Sequence, residues 1–243
     1  MTSGARPDLS AALSSPAGKS RYVRRLFATI ADRYDLITVL LSYGQDRRWK
    51  RRLVDLAAVT PGVRALDLAC GTGDIAFELA SRGARVTGLD LTVRMLELAN
   101  LKPQAKPRAT AFLAGDMMAL PFAARSFDVV TTGYGIRNVP IIDHAIAEVH
   151  RVLRPGGVFL SLDFNRPHNA FVRSVYLAYL TVVGAALGHA LHKDPDTYRY
   201  IPETIRRYPG AGAVVECMVT QGFSASEWFP VLGGLMAIHR GRK

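Results

Sequence analysis

VRALDLACGTGD, residues 63–74, decides how the rest of the chain is read. It gives an apolar strand over residues 63–68 with Asp67 near its end, then a Gly-Thr-Gly turn that opens a helix at Asp74. Gly71 and Gly73 allow torsions and close approaches that a Cβ would block. The turn can therefore press its amides against a ligand at the helix start. Seventeen residues after Gly73, the apolar segment RVTGLD ends in Asp90, with Leu91 next to it. An acid at the tip of the second strand is where a doubly wound α/β sheet holds ribose hydroxyls.

Two cofactor classes fit this pattern. Read as GxGxxA, residues 71–76 resemble a dinucleotide fingerprint. Asp67 favours a different ligand, because a pyrophosphate beside its carboxylate would be repelled and an ammonium or sulfonium attracted. Adenosylmethionine carries both cations and a ribose for Asp90.

Outward from this core, the 243 residues suffice for one large α/β domain with additions. Hydrophobic residues make up 49% and charged residues 21%, which excludes a disordered chain. The two cysteines, Cys70 and Cys217, do not suggest a disulfide framework and fit a reducing, cytoplasmic setting. No signal peptide is legible, no metal-ligand cluster is expected, and residues 1–19 read as a mobile tail rich in Ser, Ala, Gly and Pro. The net charge of +11 is uneven: 11 basic against 5 acidic groups in residues 1–59, 11 against 10 in 60–163, and 9 against 5 in 164–243. Basic flanks suit an anionic membrane surface, or equally a solvated face. No recognition motif points to nucleic acid.

In chain order, residues 20–59 predict three cap helices, with Asp46 capping the Arg-rich third one around Trp49. Residues 60–163 predict alternating strands and helices, hence a mainly parallel sheet. Its strand ends carry Asp67, Asp90, Asp116, the segment Gly133–Asn138 and Asp163. Ligands bind beyond such ends. Asp116 is placed to accept from an adenine amino group, with Met117 against the ring or in the core. A helical lid over residues 164–210 follows. Within it, residues 174–192 carry no formal charge, which reads as a packed or interfacial helix. A helix and a strand pair over residues 211–243 complete about seven strands in one domain.

FATIADRYD, LDLACGTGD, GDMMALPF, YGIRNV, HRVLRPGG, DTYRYIPETIRRYPG and MAIHRG together resemble the UbiE-type C-methyltransferases of ubiquinone and menaquinone biosynthesis. The likeness spans residues 22–242 and implies the Rossmann-like class I methyltransferase fold. It also implies adenosylmethionine held at Thr72, Asp90, Asp116 and Met117, with Gly133 as a further contact. Met117 departs from the small residue that members often have there. The implied acceptor is a prenylated quinol methylated at a ring carbon, demethylmenaquinol or 2-polyprenyl-6-methoxy-1,4-benzoquinol.

A quinol carbon becomes nucleophilic when the adjacent hydroxyl loses its proton, and the enzyme then supplies alignment and a dry site. Arg137 is expected to stabilise the developing phenolate, or to form an ion pair with Asp163 or Asp116. Asn138 is expected to orient a hydroxyl, and Asp163 or a water to take the proton. Tyr34, Trp49, Tyr198 and Tyr200 are candidates for the lid over the ring. Rival readings are methylation of another lipid or phenol, such as phosphatidylethanolamine, and a non-catalytic binding protein. The sequence does not decide the oligomeric state, a homodimer included.

Overall fold

The computed structural model describes residues 9–105 and 109–243. Strand β1 (Arg64–Leu68) leads through the glycine turn into helix α5 (Asp74–Ser81). β2 (Arg85–Asp90), α6 (Val93–Leu101), β3 (Thr110–Ala114), β4 (Phe127–Gly133), α7 (Ile142–Val152) and β5 (Leu153–Phe164) follow. The seven strands are ordered β3-β2-β1-β4-β5-β7-β6. β1 to β5 pair in parallel, whereas β7 (Met236–Arg242) is antiparallel both to β5 and to β6 (Ala225–Val231).

Successive strand residues face opposite sides of the sheet, so a sheet covered on both faces needs apolar residues at nearly every position. Leu66, Leu68, Val130 and Phe159 pack with α7 and with α10 (Ala211–Thr220) on one face. Ala65, Val86, Val129, Leu160 and Leu162 pack on the other face with α5 and α4 (Asp46–Ala57). This sheet is the fold expected from the alternating pattern, with N-terminal helices and helical insertions around it.

The additions lie at the strands' carboxyl ends. Helices α1 (Leu9–Ala12), α2 (Pro16–Ile30) and α3 (Tyr34–Leu41) precede α4. Within the expected tail to residue 19, Leu9–Ala12 is therefore helical and α2 starts at Pro16, and residues 1–8 lie outside the described residues. Ser15 explains the early start: its hydroxyl accepts from the Gly18 amide at 3.1 Å, with Pro16 in the first turn. Beyond β5 come α8 (Ala170–His192) and α9 (Tyr200–Arg207). Arg154–Gly157 forms the start of β5, with a register shift against β4. α9 begins at Tyr200 after a turn in which the Thr197 hydroxyl donates to Asp194 at 2.8 Å.

Candidate functional site

The turn after β1 is built from left-handed backbone: Ala69 at φ 48°, Gly71 at 53° and Gly73 at 87°. A Cβ on Gly73 would lie 2.8 Å from the Phe77 ring, so this glycine serves close packing at the start of α5 and does not line the cavity. Asp90 pins the turn. Its Oδ2 accepts from the Gly71 amide and its Oδ1 from the Thr92 amide, both at 2.8 Å. The Thr92 side chain makes no capping hydrogen bond at the start of α6.

A cavity of about 750 Å³, counted to its open mouth, lies against this turn. Gly71, Asp90, Leu91, Asp116, Met117 and Gly133 line it. Asp116 also accepts from the Met118 amide at 2.9 Å. Met117 is wall and core at once, packed in the same cluster as Leu89 and Ile136. α2 covers the cavity with Ser20, Val23 and Phe27, residues that the sequence did not assign to a ligand site.

Asp67 and Thr72 line a narrow extension of this space, with Lys50, Asp74 and Tyr134. The Asp67 Oδ1 accepts from the Thr131 hydroxyl at 2.8 Å, and its buried Oδ2 has no partner among the described residues. Burial raises this carboxyl to about 7, against the Thr131 hydrogen bond and the Lys50 charge that lower it. An orphaned carboxylate oxygen beside a pinned glycine turn fits a cationic ligand, and repels a pyrophosphate. Thr72 donates to Asp35 and accepts from Lys102 at 3.0 Å, so its hydroxyl is already engaged.

Lys50 is the one basic member of the RRWKRR cluster that turns inward. It pairs with Asp46 at 2.6 Å and Asp74 at 3.0 Å, and those carboxylates hold its ammonium well above the usual lysine range against the desolvation that opposes them. Asp46 is not the expected cap. Its carboxylate is buried and accepts the Tyr134 hydroxyl at 2.6 Å. The i,i+4 spacing of Asp46 and Lys50 was the legible signal for this pair.

The second cavity is larger, about 1670 Å³ to its mouth, and its walls are mostly apolar and aromatic. Tyr34, Trp49, Tyr198 and Tyr200, the expected lid residues, all line it, as do Arg137 and Asn138. Phe27, Tyr34, Tyr134 and Asn138 line both cavities and so form the partition between them. Tyr134 holds φ 60° there, a costly backbone state for a side-chain-bearing residue at the end of β4.

Arg137 and Asn138 sit on a 3-10 turn, Ile136–Asn138, directly after that tyrosine. The Arg137 guanidinium lies over the Phe164 ring at 5.1 Å and the Tyr200 ring at 5.8 Å, and bonds the Thr204 hydroxyl. Its Nε meets Asp163 Oδ1 at 3.3 Å, which is the ion pair weighed for it; Asp116 is not the partner. Asp163 is fully buried and lines neither cavity. It accepts from the Arg137 amide at 3.0 Å and the Phe164 amide at 2.8 Å besides the guanidinium, so the structure withdraws it from the role of proton acceptor. Asn138 donates to the Tyr134 carbonyl at 2.7 Å and accepts from the Tyr200 hydroxyl at 3.0 Å. Lys19 closes the turn from α2, donating to the carbonyls of Arg137 at 2.9 Å and Val139 at 2.6 Å.

The fold has many solved counterparts at low identity. A SAM-dependent methyltransferase from Thermotoga maritima aligns at a TM-score of 0.63 and 18% identity, over 90% of this chain and 99% of that one. The Haemonchus contortus phosphoethanolamine N-methyltransferase 2 aligns at 0.63 and 17% identity, over 81% of this chain and 52% of that one. At the level of sequence, the chain is 41% identical to a demethylmenaquinone methyltransferase of Thermus thermophilus, over 89% of this chain and 99% of that protein. It is 39% identical to a ubiquinone/menaquinone biosynthesis C-methyltransferase of Paracoccus denitrificans, over 93% and 92%. With residues 16–243 matching the family model, and a donor cavity built for adenosylmethionine, the chain belongs to the ubiE/COQ5 methyltransferase family.

Proposed function

We propose that this enzyme methylates a ring carbon of a prenylated quinol, demethylmenaquinol or 2-polyprenyl-6-methoxy-1,4-benzoquinol. The observation that carries the reading is the aromatic chamber that shares a wall with the donor cavity. A flat quinol ring fits between Tyr and Phe side chains, and an apolar tail fits the remaining space. The curated relatives carry names of menaquinone and ubiquinone methylation.

When bound, adenosylmethionine supplies an electrophilic methyl group on a sulfonium. Asp67, Asp90 and Asp116 would hold it, with the Asp67 Oδ2 facing a cationic group and Asp90 the ribose. Arg137 stabilises negative charge developing on the quinol oxygen, and Asn138 orients a hydroxyl with its remaining N–H. Asp163 tethers the guanidinium, and a water admitted to the chamber takes the hydroxyl proton. The chamber wall excludes further water and aligns the ring carbon with the methyl group. The reaction is placed on the cytoplasmic side, with peripheral contact to an anionic membrane where such quinols reside.

The test is labelled methyl transfer to each quinol and to phosphatidylethanolamine, with product mass and ring position determined. Carbon methylation of a quinol supports the assignment, while transfer to the phospholipid alone would overturn it.

A further inference from the structure

α8 has two different faces. Tyr176, Leu177, Leu180, Gly184 and Gly188 are buried inward, and Tyr176, Tyr179 and Leu180 line the aromatic chamber. A Cβ on Gly188 would lie 2.4 Å from the Asp194 carbonyl oxygen and one on Gly184 3.2 Å from Tyr198 Cβ, so the helix is seated tightly on residues 194–198. Phe171, Val175 and Val182 face outward and are 78%, 54% and 69% exposed. Between Arg173 and Lys193 the helix has no charged side chain. It is long enough to cross a bilayer, yet its inner face is committed to the chamber.

α3 repeats this arrangement. Ile37, Thr38 and Leu41 line the chamber, while Leu36, Val39 and Leu40 are exposed at i, i+3 and i+4. The hydroxyl of Tyr43, in the turn after α3, is hydrogen-bonded to that of Tyr179 on α8, and both residues line the chamber. After a four-residue turn, α4 exposes Arg47, Arg48, Arg51 and Arg52. Arg47, Arg48 and Arg51 have no carboxylate partner among the described residues.

We infer that the outward faces of α3 and α8 dock on an anionic lipid bilayer, so that the side of the chamber closed by the Tyr43–Tyr179 pair faces the acyl region. Solvent-exposed valine, leucine and phenylalanine on helices whose other sides hold a ligand chamber are a cost in water and a gain at an acyl boundary. The exposed arginines supply the complementary charge for anionic headgroups at that boundary. Docking here lets a tail pass from acyl chains to chamber without crossing water. The inference rests on the prenylated acceptor proposed above.

The experiment is co-sedimentation of the full chain with vesicles of phosphatidylcholine alone and of phosphatidylcholine with phosphatidylglycerol, together with methyl transfer to a short-chain, soluble quinol. Wild type should bind the anionic vesicles, less so at high salt. Val175→Glu/Val182→Glu should bind about tenfold less while turning over the soluble quinol at the wild-type rate. Arg47→Ala/Arg48→Ala/Arg51→Ala should bind less and lose most of its salt dependence. Equal binding by wild type and the α8 variant, or a stable dimer whose formation hides that face from vesicles, would overturn the docking. Vesicle binding with no quinol methylation would instead remove the acceptor assignment and leave the docking face in place.

Discussion

At the residue scale, Asp67 sets a pH signature. Its carboxyl rises from the ordinary 3.8 to about 7 in the fold, chiefly through burial. The folded state thus binds this proton more tightly than the unfolded one, so the ligand-free protein loses stability as pH rises from about 4 through about 7. A cationic donor prefers the ionised form, so its affinity should increase over that same approach to pH 7 and level off above it. Calorimetric titration of adenosylmethionine at pH 6, 7 and 8 checks this, and Asp67→Asn should bind weakly with little pH dependence. Asp90 serves two ends, since its carboxylate also takes the Gly71 and Thr92 amides. Asp90→Ala should cost donor affinity at least about tenfold, and about 1–3 kcal/mol of stability from two unmet amides. A thermal shift measurement beside the binding assay separates these effects. Asp67, Asp90 and Asp116 were legible because they sit at strand ends, where the sheet's direction places them. Asp163 also sits at a strand end, and its pairing with Arg137 was one of two left open by the sequence: Arg137 lies 26 residues earlier in the chain, and the folded path decides between Asp163 and Asp116 as its partner.

At the scale of elements, α2 spans both cavities and is the clearest gap between sequence and structure. Its first turn was hidden in a stretch whose Ser, Ala, Gly and Pro content resembles a tail, although Ser15 and Pro16 are a start signal in hindsight. The first four strands were readable because each is a short, largely apolar run with glycine or an acid at or beside its end. α5 and β2 fall at the expected residues, 74–81 and 85–90. Lys19 shows what the missed first turn does. Burial lowers its ammonium to about 8, with the Arg137 charge adding to the effect, yet it holds two carbonyls of the turn that carries Arg137 and Asn138. Lys19→Met should reduce kcat about tenfold while changing donor affinity far less, and Lys19→Arg should restore part of the rate. If kcat and donor affinity fall together and arginine restores neither, Lys19 only supports the helix.

For the whole molecule, the donor cavity draws mainly on contiguous sequence from β1 to β4, whereas the chamber gathers residues from Leu26 to Met236. That difference explains why the glycine turn could be read directly while the chamber's closure could not. It also predicts how activity depends on acceptor length. Removing prenyl units should raise KM progressively, about 0.8 kcal/mol for each buried methylene lost, with a smaller change in kcat. Steady-state kinetics on a series of tail lengths tests this; an unchanged KM would mean that the tail stays outside.

The wall between the two cavities is only a few side chains thick, and Tyr134 pays for its place there with an unfavourable backbone angle. Glycine at that position would relax the backbone and thin the partition, leaving Phe27, Tyr34 and Asn138 between the compartments. The side chains that shape the acceptor's space are thus other than the acids beside the donor's.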